Sequence, residues 1–254
     1  SPVTAARAGL RCALRRRAFS LDKFDRVPLR RVLGSLLGEN RFDWAYVCNL
    51  PMWIFLKDHV GLPRILEAHN VEEELWQGLA EVAPPVRAAV LRREARLIGR
   101  EERTAWGQAT GVVTISPEDE HVVGQVVGAH RVHMLPASPP SPPADPPAFT
   151  SRRRAAFGLL ADWEWAPSRH MLHTFLDQIA TPLAREGLAP HWVVAGRGLR
   201  STETQQLEAL GAEVMGYVDD LLDFYSRVDA VLSPDLVGGG VRIKALMAMA
   251  HGRS

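Results

Sequence analysis

The richest chemistry in this sequence lies between Val231 and Gly252. Val231 and Leu232 end a short apolar run, and Pro234 stops it as a strand because it cannot donate to a sheet ladder. Gly238, Gly239 and Gly240 follow, where the backbone can turn freely and a ligand can come close. From Val241 onward, Val241, Leu246, Met249 and Ala250 roughly keep a helical period, with Gly252 as the stop. Arg242 and Lys244 fall in the first turn of that helix. Cations there oppose the helix dipole, at roughly 0.3–1 kcal/mol each. An anion at the same end would reverse that sign, with free N–H groups already aimed at it. The local pattern therefore fits a phosphate cradle, and equally a glycine-rich turn whose cations point into water. It is not a Walker loop, since Lys244 is neither preceded by Gly nor followed by Ser or Thr, and it lacks the GxGxxG spacing of a dinucleotide site.

Strands and helices alternate along the rest of the chain. Residues 1 to about 40 read as helical, broken at Pro28. Phe42–Cys48, Pro63–His69, Thr110–Ser116 and Arg131–Leu135 read as strands. Between them lie a short helix after Pro51, an acidic helix start at Glu72–Glu74, a long charged helix over about 85–106, and a helix that Ser116 caps with Pro117 behind it. Pro136 to Thr150 is proline-dense and reads as a linker. The alternation then resumes: strands at Ala155–Leu160, His191–Ala195, Ala212–Met215 and Ala230–Leu232, helices from about Ser168, Thr202 and Asp220. This order predicts an α/β protein of two Rossmann-like βαβ domains with parallel sheets, both incomplete: 1–136, a linker at 137–150, and 151–254. Ligands in such sheets bind at the carboxyl ends of strands.

Composition adds bounds. The chain has 254 residues, 46% hydrophobic and 23% charged, as expected of a globular protein. A net charge of +1 gives no overall pull toward nucleic acid. The start is locally basic, with Arg7, Arg11, Arg15, Arg16, Arg17, Lys23, Arg26, Arg30 and Arg31 opposed only by Asp22 and Asp25. Such a run is a solvated face or a contact for anionic lipid. Cys12 and Cys48 have no metal-binding spacing and fit a reduced, cytoplasmic protein. No apolar run reaches membrane-span length, and no signal peptide opens the chain. The chain starts with Ser-Pro and stops directly after a helix, so both ends read as cut.

Several stretches resemble the GT-B glycosyltransferases of the group 1 type, family 4. These are Glu67–Glu72, Val113–Asp119, Val132–Pro136, Trp165–Ser168, Val194–Gly198, Gly216–Asp220 and Gly238–Lys244, in the family's order over about residues 42 to 252. The resemblance implies an acceptor-side first domain and a donor-binding second domain that face a cleft. It implies a retaining glycosyltransferase that moves a sugar from a nucleotide-sugar donor to a carbohydrate, lipid-linked or small-molecule acceptor, without a bound metal. Carried over, Gly238, Gly239, Gly240 and Val241 offer amides to the diphosphate, Arg242 and Lys244 add cationic contacts, and Arg197 is a further phosphate contact. Tyr217 and Val218 lie beside the base, and His69 projects toward the reacting sugar as the catalytic candidate. On their own terms, Arg197 is equally a solvated turn residue and His69 a packing residue. Trp163 and Trp165 read as core, and Glu101 and Glu102 as a solvated helix face.

The sequence also departs from the family. Two glutamates with seven residues between them are common there; Gly239 and Met247 stand in those places, and a thioether is a poor acceptor for ribose hydroxyls. Ser168 replaces the usual Asn. The family's first βα unit is expected before Ser1, and further sheet after the last helix. Those departures admit two rivals: an inactive GT-B-like interaction module, and a nucleotide-sugar epimerase of the same fold.

Overall fold

A computed structural model describes residues 17–139, 155–238 and 241–254, which form two compact units: the first runs to Pro136 and also takes in Val241, and the second holds the rest. In the first unit, helices α1 (Phe19–Asp22) and α2 (Val27–Glu39) precede β1 (Ala45–Cys48). Then come α3 (Leu50–Leu56), β2 (Arg64–Ala68), α4 (Glu72–Glu81), α5 (Pro85–Gln108), β3 (Gly111–Thr114), α6 (Pro117–Val127) and β4 (Val132–Met134). The strands are all parallel in the order β1-β2-β3-β4. Pro28 does not break a helix; it sits in the first turn of α2, where its missing N–H is not needed. Of the predicted Phe42–Cys48 strand only Ala45–Cys48 pairs, and Phe42 and Trp44 are exposed.

The long helix α5 shows why this unit holds together. Ala88, Leu91, Ala95, Ile98, Glu102 and Ala105 recur at alternating steps of three and four and are all buried. The stripe packs with Val47, Leu66, Val112 and Val132 from the strands. Glu102 belongs to this stripe and not to a solvated face, a correction to the sequence reading. At the other end of the sheet, buried Arg64 donates to the carbonyls of Leu56, Lys57 and Gln108 at 2.9, 2.9 and 3.3 Å. A cation there satisfies the last carbonyls of α3 and α5 and opposes the negative end of each helix.

The second unit contains β5 (Ala156–Leu160), α7 (Ala166–Thr174), a wide turn over Phe175–Ala180, α8 (Thr181–Arg185) and β6 (His191–Ala195). It continues with α9 (Ser201–Ala209), β7 (Glu213–Gly216), α10 (Leu221–Arg227), β8 (Ala230–Val231) and α11 (Ile243–Ala250). All strands are parallel, in the order β7-β6-β5-β8. Successive residues of β6 feed opposite faces: Trp192 and Val194 pack with Trp163, Met171 and Phe175, while Val193 and Ala195 pack with Phe224, Tyr225 and Val228. Trp163 is core as expected, but Trp165 is 50% exposed.

The chain builds β5, β6 and β7 outward in one direction and then returns to place β8 on the other side of β5. The order reverses between β5 and β8, which makes that gap a topological switch point. No such reversal occurs among the described strands of the first unit.

Candidate functional site

Ligands of open parallel sheets settle beyond the strand ends at a switch point, where adjacent connections leave in opposite directions and open a crevice. In the second unit that place is bounded by the connection after β5 (Ala161–Trp165) and the one after β8 (Leu232 to Arg242). Two glycines let the neighbouring β6 connection come close. Gly196 has φ 123°, and a Cβ on it would collide with the Ala161 carbonyl; Gly198 has φ 87°, and its Cβ would meet the Glu164 backbone N–H at 2.9 Å. The Trp163 indole donates to the Ala195 carbonyl at 3.1 Å and ties the ends of β5 and β6 together.

The predicted donor residues lie on the connections that follow β6, β7 and β8. Gly238 has φ 133°, a conformation side chains avoid. Gly239 and Gly240 lie outside the described residues. Val241 is half-buried. Arg242 is the N-cap position of α11, and its own side chain makes no capping bond to that helix start. Lys244, in the first turn, reaches back to Asp235, with Nζ at 3.1 and 2.9 Å from the carboxylate oxygens and 3.2 Å from Met171 Sδ. Arg242 Nε lies 3.9 Å from the same carboxylate, whose side chain is only 5% exposed. The Ser233 hydroxyl also donates to Asp235. The sequence reading missed Asp235. Its signal is the only acidic residue between the strand and the helix, positioned to meet any cation on the first turn.

Arg197 leaves the end of β6 and pairs with Asp162 at 2.7 Å, both side chains well exposed. The guanidinium holds the Asp162 carboxyl below its usual range. Tyr217 is 69% exposed beyond β7, while Val218 packs against the Phe224 cluster. Met247 also packs there and Ser168 is buried, so neither offers an open polar group.

His69 belongs to the first unit, one residue past β2. Its Nε2 lies 3.3 Å from Glu67 Oε1, with the ring side chain 44% exposed. A small cavity beside it is lined by Asn49, Asn70, Glu72, Glu102 and Trp106. Asn49 takes φ 66°, and its buried Oδ1 has no hydrogen-bond partner among the described residues. Glu102 accepts from the backbone N–H of Glu72 and Glu73 at 2.6 and 3.0 Å. Burial pushes its pKa up to about 8, aided by the Glu72 and Glu73 charges, while the two N–H bonds pull it down. Burial likewise raises Glu72. In sequence, Glu102 is visible as a carboxylate in phase with an apolar stripe. Of the basic start, Arg7, Arg11, Arg15, Arg16 and Cys12 lie outside the described residues, and Arg30 is bound to Asp25 at 2.6 Å.

Comparison with known proteins bears on both units. Residues 159–254, nearly all of the second unit's described part, match the family model described as Glycosyl transferases group 1. No curated protein sequence matches the chain. Among solved structures, the Anabaena protein HepE in complex with UDP and glucose superposes with TM-score 0.62 at 15% identity, over 89% of this chain and 61% of that one. TarM gives TM-score 0.58 at 10% identity, over 82% of this chain and 39% of that one. A UDP-forming α,α-trehalose-phosphate synthase from Burkholderia vietnamiensis gives 0.53 at 10% identity, over 90% and 61%. The two Rossmann-like units thus have the GT-B glycosyltransferase fold, and the second carries the sequence pattern of group 1 glycosyl transferases. This chain spans about three fifths or less of each of those structures. No helix among the described residues is long and apolar enough to cross a membrane.

Proposed function

We propose that the protein acts in transfer of a sugar from a nucleotide-sugar donor, with retention of configuration, as a family 4 enzyme of cytoplasmic carbohydrate biosynthesis. The observation that carries this reading is the cationic start of α11, with Arg242 and Lys244, on the connection after β8 beside the switch point and inside the matched segment. Breaking a sugar–phosphate bond leaves charge on the departing diphosphate, and fixed dipoles and cations aimed at it stabilise that charge. The helix start, Gly238–Val241, Arg242 and Lys244 supply them, with Arg197 reaching from β6. The two side chains and the helix dipole carry the counter-charge that a metal carries at other phosphate sites. Tyr217 and Val218 serve the base. His69 serves the sugar. The acceptor is a carbohydrate or a lipid-linked glycan, and the basic start suits an anionic membrane surface.

The second reading is a non-catalytic relative. Met247 in place of a carboxylate and the Asp235 counter-ion on Lys244 favour it. Calorimetric titration with UDP, GDP and their sugars, followed by release of the nucleotide from the sugar donor, separates the two. Donor binding with turnover supports the enzyme. Binding without turnover supports the relative, and no binding by the full-length protein sinks both.

A further inference from the structure

The connection from β2 to α4 is gripped by acids that come from other helices. The backbone N–H of Val71 lies on the side of the Asp119 carboxylate on α6 and favours its charged form. The next two N–H groups, of Glu72 and Glu73, donate to Oε1 and Oε2 of Glu102 on α5. Both acids are buried, at 3% and 2% exposure. Val71 is the N-cap position of α4 and its own side chain caps nothing, so the helix start is capped entirely from outside. Asp119 is itself fixed, accepting from the Ser116 hydroxyl at 2.7 Å, while its N–H donates to that oxygen at 3.1 Å. The packing makes room for the arrangement: Gly99, one turn before Glu102, leaves space that the Glu73 carboxylate fills and a Cβ would invade.

A buried carboxylate is expensive unless hydrogen-bonded, so two of them on consecutive amides specify that backbone tightly. The residues between β2 and this grip are His69 and Asn70. Ala68 is locked in the sheet on one side and Val71 in the grip on the other, and so short a stretch cannot move freely of either end.

We propose that Glu102 and Asp119 are positioning residues, which fix the backbone carrying His69 and Asn70 and so present the imidazole in one orientation. The inference rests on the reading of His69 as a group that serves sugar transfer. Ionised Glu102 accepts at both oxygens; protonated, it keeps one good acceptor and must donate its own proton. The grip is therefore sensitive to pH. The charges that bear on it are Glu72 and Glu73 on α4, with Arg103 on α5 bound to Glu73. His69 and Lys23 act on Glu72, and Glu118 acts on Asp119.

The test combines NMR and kinetics on the full chain. In the wild type the Glu72 and Glu73 amide signals titrate with a midpoint near 8, and the His69 ring signal follows. Glu102→Gln abolishes that titration, moves the His69 signal, and speeds exchange of those amides about tenfold or more. With UDP-glucose as donor and UDP release as the readout, Glu102→Gln lowers kcat while KM changes little. It has no further effect once His69 is Ala, because it acts through His69. A folded Glu102→Gln protein with unchanged amides and His69 signal overturns the proposal, as do kcat losses that multiply in the double variant. If Glu102→Gln does not fold, Asp119→Asn carries the same measurements through the Val71 amide. If His69→Ala leaves turnover intact while Glu102→Gln still moves the His69 signal, the grip stands and the role of His69 in transfer falls. If the wild type releases no UDP, the NMR arm decides alone.

Discussion

The connection after β2 and the connection after β8 are built alike and charged in opposite ways. Each leaves the carboxyl end of a parallel strand and enters a helix by its N-terminus. At α4 two amides are already taken by Glu102, and the first turn is Glu72, Glu73 and Glu74. At α11 the N-cap residue is itself a cation whose side chain makes no capping bond, and Lys244 stands in the first turn. A helix N-terminus attracts anions in either case. In the first unit the protein has supplied its own acceptors, so an incoming phosphate finds those amides occupied. In the second the protein supplies cations, with the Asp235 carboxylate beside both of them. The same backbone device thus meets side-chain acids in one unit and side-chain bases in the other.

The strongest way to break this comparison is to remove the cations. Arg242→Ala with Lys244→Ala should weaken UDP binding on the order of 10²–10⁴-fold by calorimetry, given about 1.5–3 kcal/mol for each hydrogen bond to a charged group. An unchanged affinity would mean that the second helix start is no more open to phosphate than the first.

The first unit makes the next prediction. Folded Glu102 has its pKa raised from 4.5 to about 8, so the folded state holds a proton that the unfolded state releases. The stability this contributes is complete below about 4.5 and is lost as pH rises through 8. Urea unfolding should show a decline on the order of a few kcal/mol across that window, since each unit of pKa difference is worth about 1.4 kcal/mol. Glu102→Gln should flatten the decline, leaving the smaller part due to Glu72 and Asp119, which shift in the same direction. A slope that the substitution leaves untouched would place the buried proton elsewhere.

Much of this contrast is legible in the sequence. The alternation of strands and helices, the Ser116 cap, and the cationic first turn after the glycines can all be read from local chemistry, because short-range periodicity and capping decide them. What is not legible is long-range. Glu102 looked like one more acid on a charged helix, since the amides that bury it lie 30 residues away in sequence. Asp235 passed unnoticed because its meaning depends on Lys244 folding back across a turn. Trp165 and Trp163 differ by two positions and have opposite fates, which only the twist of the connection after β5 determines. The reversal of strand order at β8 is likewise a property of the whole sheet.

Asp235 sharpens the comparison at intermediate scale. Its carboxylate occupies the cations that a diphosphate would use, so ligand and side chain compete. Asp235→Asn should raise UDP affinity about tenfold, equivalent to ~1.4 kcal/mol. It should lower the stability of the unliganded protein, because partly buried Lys244 loses its counter-ion. A fall in affinity would show instead that Asp235 holds Lys244 in its binding pose, which would make the second loop as pre-arranged as the first.

The smallest effect belongs to Arg197. Its pair with Asp162 is 63% and 41% exposed, in contrast to the buried acids of the first unit. Water and salt screen such a pair, so Arg197→Ala should leave the unfolding midpoint where it is. The same exposure leaves the guanidinium able to swing from Asp162 to a diphosphate at the adjacent strand end. The substitution should therefore weaken UDP binding by about three- to tenfold at low salt, with the difference shrinking as ionic strength rises. If UDP affinity is unaffected at any salt, Arg197 is a solvated turn residue, and the anion-binding rim of the second unit narrows to the helix start of α11 alone.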